Sequence, residues 1–258
     1  MNTVSESFNK EPDMKNTIRI LSTLIFLQAG FARTQEQVFS APAETHPVQV
    51  ALYPTMQLVP CDEDIAGVRL SIASLNRNVT GLDVGLVNQT AQTFRGLGVG
   101  LANLVWGNST GVEVGFVNYV EGDMTGFQGI PWLTFWNAAN IVRGESVGVQ
   151  GGLYNQSESM KGLQAGLANV GYETAGCQLG LYNYTENIHG VQVGLANIAL
   201  KSAHGVQVGL YNGTRDFRGL QIGLVNQTQT LEGLQIGLVN IASEKETLPV
   251  MVIANWQF

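Results

Sequence analysis

One short octet recurs through most of this 258-residue chain. Its clearest copies are the two GLQIGLVN segments that begin at Gly219 and Gly233. The remaining copies, mostly 14 or 15 residues apart, begin at Gly67 in a degenerate form and at Gly81, Gly96, Gly111, Gly126, Gly148, Gly162, Gly176, Gly190 and Gly205. A short repeat at a nearly constant spacing indicates an array, in which one small structural unit is placed beside its neighbours many times.

Each octet alternates between apolar residues and residues that are polar or glycine. Leu220, Ile222 and Leu224 fall on one side of an extended chain, and Gln221 falls on the other. A period of two residues predicts a β-strand, because successive side chains of a strand point to opposite faces. The octet ends on asparagine, as at Asn226, and asparagine is well suited to turn geometry at the end of a strand. The sequence therefore predicts an all-β protein.

The polar side of the octets forms a recurrent belt. Most units place glutamine at the same position, and earlier units place a charged residue there. We expect these residues to lie together on one face: Arg69, Asp83, Glu113, Gln128, Gln150, Gln164, Gln178, Gln192, Gln207, Gln221 and Gln235. In a barrel this face would line a water-filled lumen.

Alternate units also differ, so the full repeat is about 28 residues long. In one set of units a large apolar residue stands two positions before the leading glycine, and tyrosine often precedes the closing asparagine. If successive strands run antiparallel, these residues form a cluster at one rim: Phe94, Met160, Ile188, Phe217, Tyr154, Tyr182 and Tyr211. A solenoid with two strands in each coil would show the same period, so periodicity leaves both architectures open.

The C-terminal segment PVMVIANWQF favours the barrel. It alternates to a terminal phenylalanine, like the closing strand of bacterial outer-membrane barrels, and Trp256 and Phe258 are predicted to act as the assembly signal. Strands of about ten residues are long enough to cross a membrane when tilted. We therefore predict an antiparallel up-and-down outer-membrane β-barrel of about 14 strands built from the 14–15-residue repeats. The alternative is a β-solenoid, with leucine and isoleucine as a dry core and the glutamine belt as a flat binding face.

The N-terminal segment has the layout of a secretory signal peptide. Lys15 and Arg19 precede an apolar run over residues 20–27, and small residues end at Ala32. The predicted organisation is an N-terminal extension and signal peptide over residues 1–32, a linker over 33–46 and one repeat-built β domain over 47–258. This organisation predicts export to the outer membrane or cell surface, with the lipid bilayer and the outer-membrane assembly machinery as partners.

Composition argues against several other functions. The net charge of −7 gives no basic patch for nucleic acid. Cys61 and Cys177 are too few and too far apart for a disulfide scaffold. His189 and His204 occupy a repeat position that other units fill with lysine, arginine or glutamate, which indicates polar surface residues and not a catalytic base. We expect no enzymatic activity, no cofactor and no metal site.

The repeated units also carry a family resemblance. The segments GLDVGLVN, GVQVGLAN and GLQIGLVN, preceded by PVQVALYP and GVRLSI, resemble the leptospiral-type family of bacterial surface-repeat proteins. The resemblance extends over nearly all of the chain after the predicted signal peptide, although GIPWLTFWN departs from the octet. It implies a surface or outer-envelope location and brings no catalytic residue or ligand. The predicted function is a non-enzymatic outer-membrane β-repeat protein that acts as a porin-like passive channel, or alternatively a surface-displayed solenoid for binding or adhesion.

Overall fold

The structure is a computed structural model that describes residues 43–129 and 137–258. The predicted signal peptide, residues 33–42 of the predicted linker and most of the GIPWLTFWN segment lie outside the described residues. The region Ala43–Phe258 forms one compact unit without a helix among its described residues. Its strands are β1 (Thr45–Tyr53), β2 (Met56–Gln57), β3 (Asp64–Val99), β4 (Ala102–Val105), β5 (Ser109–Val114), β6 (Val117–Val120), β7 (Met124–Gly129), β8 (Ala139–Gly151), β9 (Tyr154–Ala165), β10 (Ala168–Leu179), β11 (Tyr182–Val193), β12 (Ala196–Thr228), β13 (Thr230–Ala242) and β14 (Val250–Gln257).

Successive repeats pair in parallel and in register. Between β10 and β11, Gly176 lies opposite Gly190 and Gln178 lies opposite Gln192. The same correspondence of glycine with glycine and glutamine with glutamine holds from β11 to β12 and from β12 to β13. Each octet therefore lies directly on the octet of the preceding coil, and the chain winds into a β-solenoid of about 13 turns.

The predicted antiparallel barrel is wrong. In an antiparallel meander, neighbouring octets run in opposite directions, so like residues do not stack throughout the array. Parallel coils place every asparagine and glutamine beside its counterpart, where the two amides can bond to each other. The antiparallel pairs β1–β2 and β13–β14 occur at the two ends of the described solenoid and not in its body.

The leading glycine of each octet allows the coils to stack. Gly219 has a φ of 130°, a backbone conformation that residues with a Cβ atom rarely adopt. A Cβ at Gly219 would lie 2.1 Å from the carbonyl oxygen of Gly205 in the preceding coil. Glycine is therefore required twice over at this position, by its own conformation and by the approach of the neighbouring backbone.

The asparagines that close the octets point inward and form a continuous ladder. Asn212 Nδ2 donates to Asn226 Oδ1 over 2.8 Å, and Asn226 Nδ2 donates to Asn240 Oδ1 over 2.8 Å. Asn226 Nδ2 also donates to the backbone carbonyl of Ile236, 2.9 Å away. Each such amide satisfies buried backbone and side-chain groups at the same corner of successive coils.

A second interior column alternates large apolar side chains with smaller ones and explains the 28-residue period. Phe94 stacks on Ser109, and Ser109 stacks on Met124. Farther along, Met160 stacks on Thr174, and Thr174 stacks on Ile188. Neighbouring strands are only about 4.8 Å apart, so large and small side chains alternate to fill this column without collision. The alternation is a packing rule inside the solenoid and does not mark two different rims.

Both ends of the described solenoid carry a closing element. The short strand β2 folds back on β1 at the N-terminal end. At the other end β14 runs antiparallel to β13, with Trp256 opposite Leu234 and Asn255 opposite Gln235. Asn255 Nδ2 donates to Gln235 Oε1 over 3.3 Å and ends the glutamine ladder. An unpaired strand edge promotes association with other chains. Because β14 pairs with β13, the edge of the last coil is covered.

Candidate binding face

The apolar residues of the octets point outward and form a continuous exposed surface. In β12, Ile222 is 39% exposed and Leu224 is 48% exposed. Gln221, which directly precedes Ile222, is fully buried. We call this surface the apolar face. It consists of the first, third and fifth residues after each leading glycine, and its most exposed column contains Leu86, Leu101, Phe116, Leu167, Leu181, Leu195, Leu210, Leu224 and Leu238.

The orientation reverses the predicted solenoid. We expected leucine and isoleucine to form a dry core and glutamine to form a flat outer face, and that prediction is wrong. The ordering follows from hydrogen bonding, because stacked amides can donate to and accept from one another inside the coil. Leucine has no such ladder to make, so it can occupy the outside only at the cost of exposed apolar area.

The predicted polar belt is a column in the interior. Gln178 Nε2 donates to Gln164 Oε1 over 2.8 Å, and Gln192 Nε2 donates to Gln178 Oε1 over 2.8 Å. The same bond links the other consecutive glutamines, which are at most 1% exposed: Gln128, Gln150, Gln207, Gln221 and Gln235. The column is packed between the walls of the coil, so these glutamines line no open lumen.

Buried charges replace glutamine at the start of this column. Arg69 and Asp83 form a two-bond ion pair, with Arg69 Nε 2.8 Å and Nη2 2.6 Å from the two carboxylate oxygens. Arg69 Nη1 also donates to the carbonyl of Gln89 over 2.8 Å. Burial of the pair costs solvation, and the additional hydrogen bonds offset part of that cost. The two residues are a structural part of the interior.

Glu113 occupies the same column without a cationic partner. Burial raises its pKa to about 7, partly opposed by hydrogen bonds from Ser109 and from Gln128 Nε2, which lies 3.0 Å away. Gly98 stands in the column between Asp83 and Glu113 and contributes no side chain. The resulting cavity of about 10 Å³ has room for about one water molecule. It has no space for a substrate.

The seven residues predicted to share a rim are divided between the core and the surface. Phe94, Met160, Ile188 and Phe217 are at most 2% exposed and lie inside the solenoid. The three tyrosines lie outside, at the margin of the apolar face. Tyr154 and Tyr211 donate from their hydroxyls to Gln156 and Gln227, and burial raises the pKa of Tyr154 to about 12.

Apart from the buried Arg69, Asp83 and Glu113, the described charged side chains lie outside the apolar face. Among the described residues, the three columns of the apolar face contain no aspartate, glutamate, lysine or arginine. Ion pairs instead connect neighbouring coils outside these columns, as between Lys201 and Glu186 at 2.5 Å and between Arg218 and Glu232 at 2.8 Å. The solenoid is therefore amphipathic, with one uncharged apolar side and one charged side.

The residues predicted as an assembly signal lie on β14 and just after it. Trp256 is half-exposed and Phe258 is 94% exposed. Lys245 Nζ lies 5.9 Å from the Trp256 ring centre and also donates to the Trp256 carbonyl over 2.9 Å. The structure gives these two residues a place beside the C-terminal cap, and their role in assembly stays a prediction.

The fold also brings together side chains that the sequence analysis did not connect. Glu44, His46 and Glu63 place their ligand atoms within 4.8 Å of one another. His189 and His204 lie on neighbouring coils with ring centres 4.7 Å apart. The second contact was visible in the repeat, because both histidines directly precede a leading glycine. The first depends on the pairing of β1 with β3, which the octet pattern does not reveal.

Comparison of the chain with protein-family models, curated proteins and solved structures gives no match. The resemblance to bacterial surface-repeat proteins is thus untested by these comparisons. Within the described residues there is no helix of the length and apolarity needed to cross a membrane. The class that the fold defines is a β-solenoid with an apolar outer face.

Proposed function

We propose that this protein is a non-enzymatic β-solenoid of the bacterial outer surface that attaches to a lipid bilayer through its apolar face. The apolar face is the observation that carries the proposal. In this arrangement the solenoid lies on the bilayer, and its charged side faces the solvent. A porin-like channel required the barrel. It is not proposed, because the amides that were expected to line a pore are packed in the interior.

The size of the apolar face supports a binding role. About 13 turns at a spacing of about 4.8 Å give a length of roughly 60 Å. Three outward residues span about 15 Å along each strand, so the face covers on the order of 900 Å². The largest apolar patch on a typical soluble monomer is about 300–600 Å². An apolar surface of this extent is typical of a site that is covered by a partner or by lipid.

The chemistry of the face and of its margin supports lipid as the partner. The face carries no charged residue in the described part of the chain, and it matches the acyl region of a membrane without requiring specific pockets. Tyr154, Tyr182 and Tyr211 lie along one margin with their hydroxyls beside polar atoms or solvent, and tyrosine favours the boundary between lipid and water. Segregation of apolar and charged sides is also the property by which interfacial helices bind membranes in the plane of the surface.

The proposed location rests on the N-terminal signal-peptide pattern and on the family resemblance. The proposed absence of catalysis is supported by the buried carboxylates: Asp83 is engaged by Arg69, and Glu113 faces a cavity that holds about one water molecule. A catalytic carboxylate must reach a substrate, and these two are enclosed by the coil.

Vesicle flotation tests the proposal. Purified protein is mixed with vesicles of phosphatidylethanolamine and phosphatidylglycerol, and the fraction that floats is measured. We expect the wild type to float and Leu181→Gln/Leu195→Gln to remain largely in the soluble fraction, because both leucines are 51% exposed on the apolar face. The control is Ile198→Gln/Leu200→Gln, which makes the same kind of change outside that face.

Flotation of the Leu181→Gln/Leu195→Gln protein at the wild-type level contradicts the proposal. So does a wild type that stays soluble and forms a dimer in analytical ultracentrifugation, since a second copy would then cover the apolar face.

A further inference from the structure

Three potential metal ligands meet at the N-terminal end of the described solenoid. Glu44 and His46 are two residues apart at the start of β1, so their side chains leave the strand on the same side. β1 pairs in parallel with β3, with Thr45 opposite Asp64, and the Asp64 N–H donates to the Glu44 carbonyl over 2.9 Å. This pairing places Glu63 beside Glu44 and His46.

The ligand atoms face one another. One atom from each of Glu44, His46 and Glu63 lies within 4.8 Å of the other two. His46 Nε2 lies 2.5 Å from Glu63 Oε2, yet this buried nitrogen makes no hydrogen bond. The nitrogen and the oxygen are thus in direct contact without the geometry of an N–H···O bond. Two carboxylates on adjacent strands also repel each other unless a positive charge lies between them.

We propose that Glu44, His46 and Glu63 bind a divalent transition-metal ion, with Zn²⁺ as the best match. An imidazole nitrogen with two carboxylate oxygens is a ligand set that zinc accepts, whereas calcium selects oxygen alone. Ligands about 2.0–2.2 Å from a tetrahedral ion are about 3.3–3.5 Å apart. The close His46–Glu63 pair, 2.5 Å apart, therefore opens by about 1 Å when the ion binds.

The site is accessible and has room for a solvent ligand. Glu44 is exposed, and the side chains of His46 and Glu63 are 33% and 24% exposed. Three protein ligands and one water molecule complete a four-coordinate shell. Because the ligands lie at or just before the starts of β1 and β3, the bound ion connects these two strands.

This connection gives the ion a structural role. An ion that binds the folded state and not the unfolded chain raises the free energy of unfolding with the logarithm of the free ion concentration once that concentration exceeds the Kd. The effect should be largest at the N-terminal end, where the ion adds a link to the backbone hydrogen bonds that already join β1 to β3. The proposal does not rest on lipid binding by the apolar face.

Zinc titration of the full chain tests the site. The chain has three histidines, so His189→Ala/His204→Ala leaves His46 as the one imidazole and removes the histidine pair on the neighbouring coils. We expect this variant, stripped with a chelator, to bind one Zn²⁺ by isothermal titration calorimetry and to melt at a higher temperature with Zn²⁺ than with chelator.

Adding His46→Ala or Glu63→Gln to that background should lower Zn²⁺ affinity about tenfold or more and remove the zinc-dependent rise in melting temperature. In chelator, unchanged circular dichroism of these variants would show that the fold is retained. The proposal is overturned if the background variant binds no Zn²⁺, or if His46→Ala leaves the stoichiometry and the affinity unchanged.

Discussion

Single residues of the interior are held to strict chemical requirements, and Glu113 departs from them. From Gln128 onward the column carries amides that bond to the next coil, whereas Glu113 is a buried carboxyl with a pKa of about 7. A carboxyl whose folded-state pKa is raised binds its proton more tightly in the folded protein. Its contribution to stability is therefore complete below the unfolded pKa of 4.5 and is lost as pH rises through about 7.

We expect the free energy of unfolding to fall by about 3 kcal/mol between pH 4.5 and pH 8 because of this residue. Glu113→Gln should remove that part of the pH dependence and stabilise the protein at pH 8, since glutamine continues the amide column. Urea denaturation at both pH values measures the change. The control is Glu232→Gln, which alters an exposed carboxylate. An unchanged pH slope in Glu113→Gln would show that Glu113 is ionised without penalty.

The leading glycines impose a different requirement, which is backbone geometry. Gly219→Ala should destabilise the protein by about 2–4 kcal/mol or prevent folding, because the new Cβ would meet the Gly205 carbonyl oxygen and the backbone conformation disfavours alanine. Gly151→Ala is the matched control, since a Cβ there has no heavy atom within 4 Å. Thermal melts of the two variants give the comparison, and equal stabilities would contradict the stacked-glycine geometry.

At the level of the strand, the same alternation separates an amide side from an apolar side. In β12 the two sides are represented by Gln221, bonded to Gln207 over 2.7 Å and to Gln235 over 2.8 Å, and by Ile222, which is 39% exposed. Adjacent positions on one strand thus have opposite tolerance for charge. Which of Gln221 and Ile222 accepts a charged side chain therefore distinguishes this solenoid from a barrel with a water-filled lumen.

We expect Gln221→Arg to be strongly destabilising, by about 3 kcal/mol or more, because it buries a charge and removes one hydrogen bond from each of Gln207 and Gln235. Ile222→Arg should change stability by less than about 1 kcal/mol in detergent-free solution, because the arginine extends into solvent. Denaturation curves of the two variants test this. A barrel with isoleucine toward lipid and glutamine toward water would give the reverse order.

For the molecule as a whole, the closing strands determine whether one solenoid stays separate from the next. β14 pairs with β13 from Gly233 to Ile241 and covers the hydrogen-bonding edge of the last coil. The body of the solenoid has the same cross-section from coil to coil, so an uncovered end presents a template for another copy.

Removal of residues 250–258 should therefore cause end-to-end association. We expect light scattering to show a concentration-dependent increase in mass for the truncated protein. Deletion of Phe258 alone is the control, because Phe258 lies beyond the last paired residue. A truncated protein that stays monomeric would show that β14 is dispensable for protecting the edge.

The sequence by itself determined the repeat, the β-strands, the alternation of faces and the 28-residue period, because each depends on local spacing. It also placed the glutamines in one column and the leucines in another.

Only the tertiary structure decided that the coils run parallel and that the amides lie inside. The alternation defines two faces of the strand but does not say which of them is buried. A barrel wall and this solenoid coil both place the apolar residues outside and the amides inside, so the pattern fits either fold. The decision lies in contacts between residues 14 or 15 positions apart, where parallel stacking lets each amide bond to its counterpart. The Glu44–His46–Glu63 cluster escaped prediction for the same reason, since it forms only when β1 lies beside β3.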